Sequence, residues 1–121
     1  MKDFSRTNDL HIRAKHFAIK IIKLIGRLPR TTEVKILGTQ LIRSGTSVAA
    51  NYRAACRARS KAEFVAKLGT VVEEADETVF WLELLVESGI VGGAQMDDLL
   101  KEASELRAIF SASRRTAKSK G

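Results

Sequence analysis

A chain of 121 residues, 45% hydrophobic and 29% charged, has the size of one domain and the composition of a soluble globular protein. Its formal net charge of +7 excludes an acidic, self-solvating chain and invites a polyanionic partner. A single proline and a single cysteine, with no Asn-Gly or Asp-Gly turn, exclude a sheet of tight hairpins and an internal disulfide.

The first predicted helix spans about residues 7–28. Leu10, Ala14, Phe17, Ile21, Leu24 and Leu28 follow alternating steps of four and three, a heptad seam that Ala18, Ile22 and Ile25 widen into a core-facing stripe. Arg13, His16, Lys20, Lys23, Arg27 and Arg30 keep the same spacing on the opposite face. Pro29 disfavours the α conformation of the residue before it and ends the helix. A basic amphipathic helix of this kind also suits a membrane surface, but its apolar face is needed for a bundle core.

Thr31 or Thr32 caps a second helix over 32–58. Its stripe is Val34, Leu37, Leu41, Ser44, Val48, Tyr52 and Ala55, with Lys35, Arg43, Arg53 and Arg57 on the other side. Gln40, Ser44, Ser47 and Asn51 run along one flank and form a candidate hydrogen-bonded column, where helices approach closely over Gly45, Ala49 and Ala50.

Ser60 and Glu63 have capping-box spacing and open a third helix over 61–88. Its core stripe is Phe64, Leu68, Val71, Ala75, Thr78, Leu82 and Leu85. Gly89 supplies a left-handed stop, with Ile90 placed for the accompanying apolar contact. After the Gly92-Gly93 loop a fourth helix, 94–112, carries Met96, Leu99, Ala103, Leu106 and Phe110. The remainder, 113–121, is expected to be a frayed basic tail.

Four amphipathic helices joined by short loops predict one all-α domain over 1–121, an antiparallel up-down-up-down four-helix bundle. An extended two-helix coiled coil is the competing arrangement, and three breaks in the chain disfavour it. No run of roughly 18 apolar residues crosses a membrane. The opening Met1-Lys2-Asp3-Phe4 leads into charge rather than an apolar leader, so a cytoplasmic location is expected.

Charge is unevenly placed. Residues 1–30 hold eight Lys/Arg against two acids, 31–59 five against one, 60–90 two against seven, and 91–121 six against four. The candidate nucleic-acid-binding residues are therefore Arg43, Arg53, Arg57 and Arg59, with Lys20, Lys23 and Arg27 from the first helix. A solvated face that keeps the bundle soluble explains the same cations. Phe80, Trp81 and Leu84 fall outside the third core stripe, beside Glu73 and Glu77, and Ile12 and Ile19 lie off theirs. Large apolar residues in such places mark a candidate interface between copies of the chain.

Catalysis, metal and cofactor find no pattern. His11 and His16 diverge by about 140° on a helix, and no histidine follows to build the Glu-x-x-His pairs of a di-metal bundle. The Glu73–Glu77 run is expected to face outward. No P-loop, nucleophile elbow or dinucleotide fingerprint occurs. Cys56 stands beside Arg53 and Arg57, but a lone half-buried thiol is usually inert. The chain is expected to be non-enzymatic, with no cofactor.

The segment QLIRSGTSVAANYRAACRARSKAEF, 40–64, followed by EEADETVFWLELL, 73–85, resembles the small four-helix proteins encoded by intervening sequences in bacterial 23S ribosomal RNA genes. The resemblance extends over residues 4–112. It is most specific at Gln40-Leu41, Arg43-Ser44, Ser47-Val48, Asn51 and Ser60 to Phe64. It implies an antiparallel bundle assembled as a homopentameric ring, without enzymatic activity. A related group, accessory proteins of diversity-generating retroelements, implies that a basic surface of such a ring can engage nucleic acid and a reverse transcriptase. Two positions depart from the pattern. Arg53-Ala54-Ala55 replaces an Ala-Glu-Gly run, adding a cation where an acid is usual, and Ala49 stands where a proline is familiar.

Two functions remain once the resemblance is set beside the residues. One is RNA or DNA binding through the basic face. The other is a protein-interaction scaffold that recruits a partner such as a polymerase and never touches nucleic acid. Salt-sensitive, arginine-dependent binding marks the first, and salt-resistant apolar binding the second.

Overall fold

Each helix boundary follows from local chemistry. In the computed structural model, which describes residues 4–120 with side chains from residue 9 onward, the chain forms α1 (Phe4–Arg27), α2 (Thr32–Cys56), α3 (Lys61–Glu87) and α4 (Ala94–Ser119). The leader expectation at Met1-Lys2-Asp3 and the last tail residue, Gly121, lie outside the described residues. Leu28 closes α1 with a tight turn to the Ile25 carbonyl at 3.2 Å, and Pro29 follows. Thr31, not Thr32, caps α2, its hydroxyl accepting from the Val34 N–H at 3.2 Å. Ser60 accepts from the Glu63 N–H at 3.1 Å. That is half of the capping box, because the Glu63 carboxylate turns to Arg59 at 3.9 Å. Gly89 takes φ +78°, which lets the Val91 N–H reach back to the Leu85 carbonyl at 3.3 Å.

The helices pack as a ring of neighbours, α1 on α2, α2 on α3, α3 on α4 and α4 on α1. His11 meets Tyr52 while Ile25 meets Gly38, so α1 and α2 run antiparallel. Asp76 pairs with Arg107 while Val65 meets Arg114, which sets α3 against α4 in the same sense. All four predicted seams enter one core. Phe17, Ile21, Leu41, Val48, Leu68, Val71, Leu82, Leu85, Met96, Leu106 and Phe110 are essentially sealed from solvent. The antiparallel four-helix bundle is the architecture.

Several boundaries and faces differ from the sequence expectation. The basic tail is not frayed. α4 continues to Ser119 because Ser113 and Ala117 extend the Phe110 seam and are half-buried. The Arg114 guanidinium donates to the Val65 carbonyl at 3.2 Å, and the Lys61 ammonium reaches the Lys120 carbonyl. α2 ends at Cys56, two residues early. Ile22 is 47% exposed rather than part of the core, since Gly38 and Gly45 draw α1 in along Ile21 and Ile25.

The column on α2 also divides. Ser44 is sealed and shares a 3.0 Å hydrogen bond with the Thr78 hydroxyl of α3, with the Leu41 and Glu74 carbonyls as further acceptors. Asn51 instead donates within its own helix, to the Ser47 hydroxyl at 2.7 Å and carbonyl at 2.9 Å. Close approach occurs on the neighbouring flank. A Cβ added at Gly45 would lie 2.5 Å from Ile21 Cδ1, and one at Gly38 would lie 2.9 Å from Ile25 Cγ2.

A large side chain at Gly45 must push α1 away. Gly45→Leu is expected to destabilise the fold by about 1–3 kcal/mol, measured by urea unfolding. Stability equal to wild type would show that the α1–α2 spacing is not set there. Thr78→Val removes the buried inter-helix bond and is expected to cost about 1 kcal/mol in the same assay.

Candidate nucleic-acid interface

Seven cations were candidates, and the bundle does not bring them together. Lys23 lies twelve residues beyond His11 on α1, about 18 Å along the axis at 1.5 Å per residue. Lys20, Lys23 and Arg27 therefore form a strip on the side of α1, remote from the end of α2. Arg27 donates to its own helix at the Lys23 carbonyl, 3.2 Å, and to Gln95 at 3.4 Å. Lys20 acts electrostatically on Glu102.

Arg43 is neutralised within the chain. It pairs with Glu74 at 3.3 Å and with Glu77, whose carboxylate also accepts from the Trp81 indole at 3.3 Å. Hydrogen bonding to Glu77 raises the Arg43 pKa, and the same bond, then that of Trp81, holds Glu77 below the usual carboxylate range. The acidic run of α3 is thus not simply outward-facing. Glu74 and Glu77 are half-buried against α2, and Glu73 and Asp76 are exposed. Arg13 is held likewise by Glu102, at 2.7 and 2.8 Å in a forked contact, and by Glu105 at 2.8 Å. Asp76 binds Arg107 at 2.7 Å.

Arg53 and Arg57 differ. They project one turn apart from the last turn of α2, both exposed, and neither has an ion-pair partner among the described residues. Arg59, with its side chain 92% exposed, is only loosely drawn to Glu63. The antiparallel return of α4 adds Arg115 and Lys118 at this same end, beside Lys61 of α3. Sequence reasoning missed these tail cations. Small residues at 113 and 117 carry the seam that orders them, and a search for large apolar side chains passes over those positions.

His11 of α1 belongs to the same end. Its ring packs on Tyr52, centroids 4.9 Å apart and tilted by 54°, and Tyr52 leans in turn on Phe110 at 5.0 Å. Burial, followed by the charges of Arg53 and Arg57, lowers the His11 pKa. Between the helix ends lies an open cleft of about 730 Å³, floored by Leu10, Tyr52, Cys56, Phe64 and Ile109 and edged by Lys61.

The expected interface residues also separate. Phe80 is 49% exposed, stacked edge-on against Trp81 at 5.0 Å. Trp81 is half-buried, packs against the core and is tied to Glu77, and Leu84 is half-buried. Ile36 of α2, which the sequence pattern did not single out, is 59% exposed. One heptad beyond the Arg43–Glu77 pair, the same register places Ile36 beside Leu84. Ile12 and Ile19 are exposed on the outer face of α1, on the far side of the bundle from Phe80. Among the described residues, no group of three His, Cys, Asp or Glu side chains could hold a metal ion, and no helix is long and apolar enough to cross a membrane.

Residues 6–112 match the family described as 23S rRNA-intervening sequence protein. The chain belongs to that family. Among solved structures, it is similar to a crystal structure from Bacteroides thetaiotaomicron, described as a protein of unknown function from the S23 ribosomal protein family. The two share 31% identity with a TM-score of 0.80, over 90% of this chain and 97% of the other. No match was found among the curated proteins. Family membership agrees with the resemblance carried by residues 40–64 and 73–85, and with the bundle itself.

The ion pairs set the acid response. Glu102, whose pKa is lowered first by its bond to Arg13, binds a proton less readily folded than unfolded, where the ordinary value is 4.5. The stabilisation is present above that pH and is lost as pH falls through the lower folded value. Glu102→Gln is expected to lower Tm at pH 7, with the difference from wild type shrinking as pH falls below the ordinary value of 4.5. A difference that does not shrink would show that Glu102 acts through packing instead.

Proposed function

We propose that the protein is a non-enzymatic, self-assembling four-helix bundle that binds the phosphate backbone of RNA or DNA, without sequence preference, through the basic end of the bundle. The observation that carries this reading is the contrast among arginines. Arg13, Arg43 and Arg107 are neutralised by carboxylates of neighbouring helices, whereas Arg53 and Arg57 face solvent without ion-pair partners among the described residues. Cations left uncompensated displace counterions from a nucleic acid, which makes such binding fall steeply with salt. Arg59, Lys61, Arg115 and Lys118 extend the same field. The strip of Lys20, Lys23 and Arg27 is a separate and weaker contact. Exposed aromatic rings are absent from the described part of the basic end, so stacking on bases contributes little and sequence goes unread. The setting proposed is the cytoplasm, and the assembly a homopentameric ring, as the resemblance implies.

Arg53→Ala with Arg57→Ala is expected to weaken binding to all sequences alike. It should also reduce the slope of log K against log salt by roughly 1.4–1.8 for two lost phosphate contacts. Fluorescence anisotropy with a structured RNA, a single strand and a duplex checks this. An unchanged slope removes both residues from the site.

The exposed apolar patch favours a second reading, a scaffold whose ring recruits a protein. Phe80 and Ile36 flank Leu84 beside the Arg43–Glu77 pair, an apolar strip with a polar edge. Both reach solvent and leave the core intact when replaced, unlike Trp81. Phe80→Asp with Ile36→Asp is expected to lower the mass seen by sedimentation if the strip joins copies of the chain. Retention of the wild-type mass places the self-contact elsewhere and frees the strip for another protein.

A further inference from the structure

We infer that His11 completes a phosphate-binding cluster with Arg53 and Arg57, and that a phosphate bound there brings a proton onto the imidazole. The inference rests on the reading of the basic end as a polyanion site and adds its regulation by pH.

The geometry isolates His11 from ordinary surface histidines. Its ring is half-buried against Tyr52, which is itself buried and braced by Phe110, so the imidazole is held in place beside the last turn of α2. From α2 the groups acting on it are Tyr52 and the two guanidinium groups of Arg53 and Arg57, with the Cys56 thiol nearby in the cleft floor. From α4 it is Phe110 that reaches this level, through Tyr52. The α4 carboxylates Glu102 and Glu105 are held by Arg13, which projects about 200° round α1 from His11 at 100° per residue. On α1 itself, Lys15 lies one turn on along the same flank and adds a like charge, while Asp9 points the other way. No carboxylate among the described residues balances the cluster.

In the free protein, burial and two neighbouring cations keep the imidazole neutral at pH 7. A phosphate bridging Arg53 and Arg57 reverses the field, since it brings negative charge within reach of the ring. The imidazole then takes a proton from solvent at its free nitrogen and donates the resulting N–H to a phosphate oxygen. No other bond forms or breaks. Because the proton is bound only in the complex, lowering the pH drives binding, and binding raises the His11 pKa by the same linkage. The exposed His16, on another face of α1, has no part in this and serves as an internal control.

Two readouts test it on the full chain. In an NMR titration of the two histidines, saturating pyrophosphate is expected to raise the His11 pKa by about one pH unit and leave His16 unmoved. In Arg53→Ala/Arg57→Ala the response should disappear. A His11 pKa that pyrophosphate leaves unchanged or lowers overturns the inference. In anisotropy at fixed salt, RNA binding should tighten roughly 3–6-fold between pH 8 and pH 6, a one-unit rise in the pKa limiting the whole gain to tenfold. In His11→Gln the gain between pH 8 and pH 6 should be absent. A pH response that survives in His11→Gln assigns the proton elsewhere and overturns the inference, even though the nucleic-acid reading stands. If pyrophosphate raises the His11 pKa and no nucleic acid binds, the cluster is supported as a site for a small phosphate and the nucleic-acid reading falls.

Discussion

Near the middle of the bundle, Ile21 of α1 lies over Gly45 of α2 while the hydroxyls of Ser44 and Thr78 join α2 to α3. These two contacts, one residue apart in sequence, set the register of three helices at once. The first works because glycine has no Cβ to hold the helices apart. The second works because two buried hydroxyls that miss each other would leave polar groups without partners. Everything charged on the surface takes its place from this layer. With Ser44 opposite Thr78, Arg43 falls between Glu74 and Glu77, and the end of α2 falls beside the start of α1.

The charge pattern then sorts itself by neighbour. α3 is the acidic helix, and it absorbs one arginine from each flank, Arg43 from α2 and Arg107 from α4. α4 uses Glu102 and Glu105 on Arg13 of α1. At the end where α2 and α4 finish and α3 begins, Glu63 draws loosely on Arg59, and Arg53 and Arg57 have no ion-pair partner among the described residues. The helix macrodipole also favours cations at the C-termini of α2 and α4. A bundle of modest net charge therefore carries a concentrated positive end, and concentration rather than total charge is what a polyanion senses.

Much of this was legible from the residues. The four seams, the caps at Thr31 and Ser60 and the stop at Gly89 each rest on side chains whose preference is strong and local. Residues 40–64 carried the family as well. What stayed hidden depended on pairing across helices. Nothing in the spacing of Arg43 distinguishes it from Arg53, because the difference lies in which helix stands opposite. Ile22 has the spacing of a core residue, yet the closeness of α1 to α2 at two glycines leaves it outside. The tail was misjudged because Ser113 and Ala117 are small, although small residues suffice where α4 lies close against α3. His11 gave no sign of partnership in sequence, since Tyr52 is 41 positions away.

The proposed nucleic-acid contact lies at the basic end of the bundle, not along its sides. Backbone amide shifts recorded while a short single-stranded RNA is added test it most directly. The account predicts perturbations clustered over residues 9–12, 53–61 and 113–120, with Arg43 and the Lys20–Arg27 strip nearly silent. Shifts that run along Lys20, Lys23, Arg27 and Arg43 instead, with the end of α2 unmoved, would contradict it.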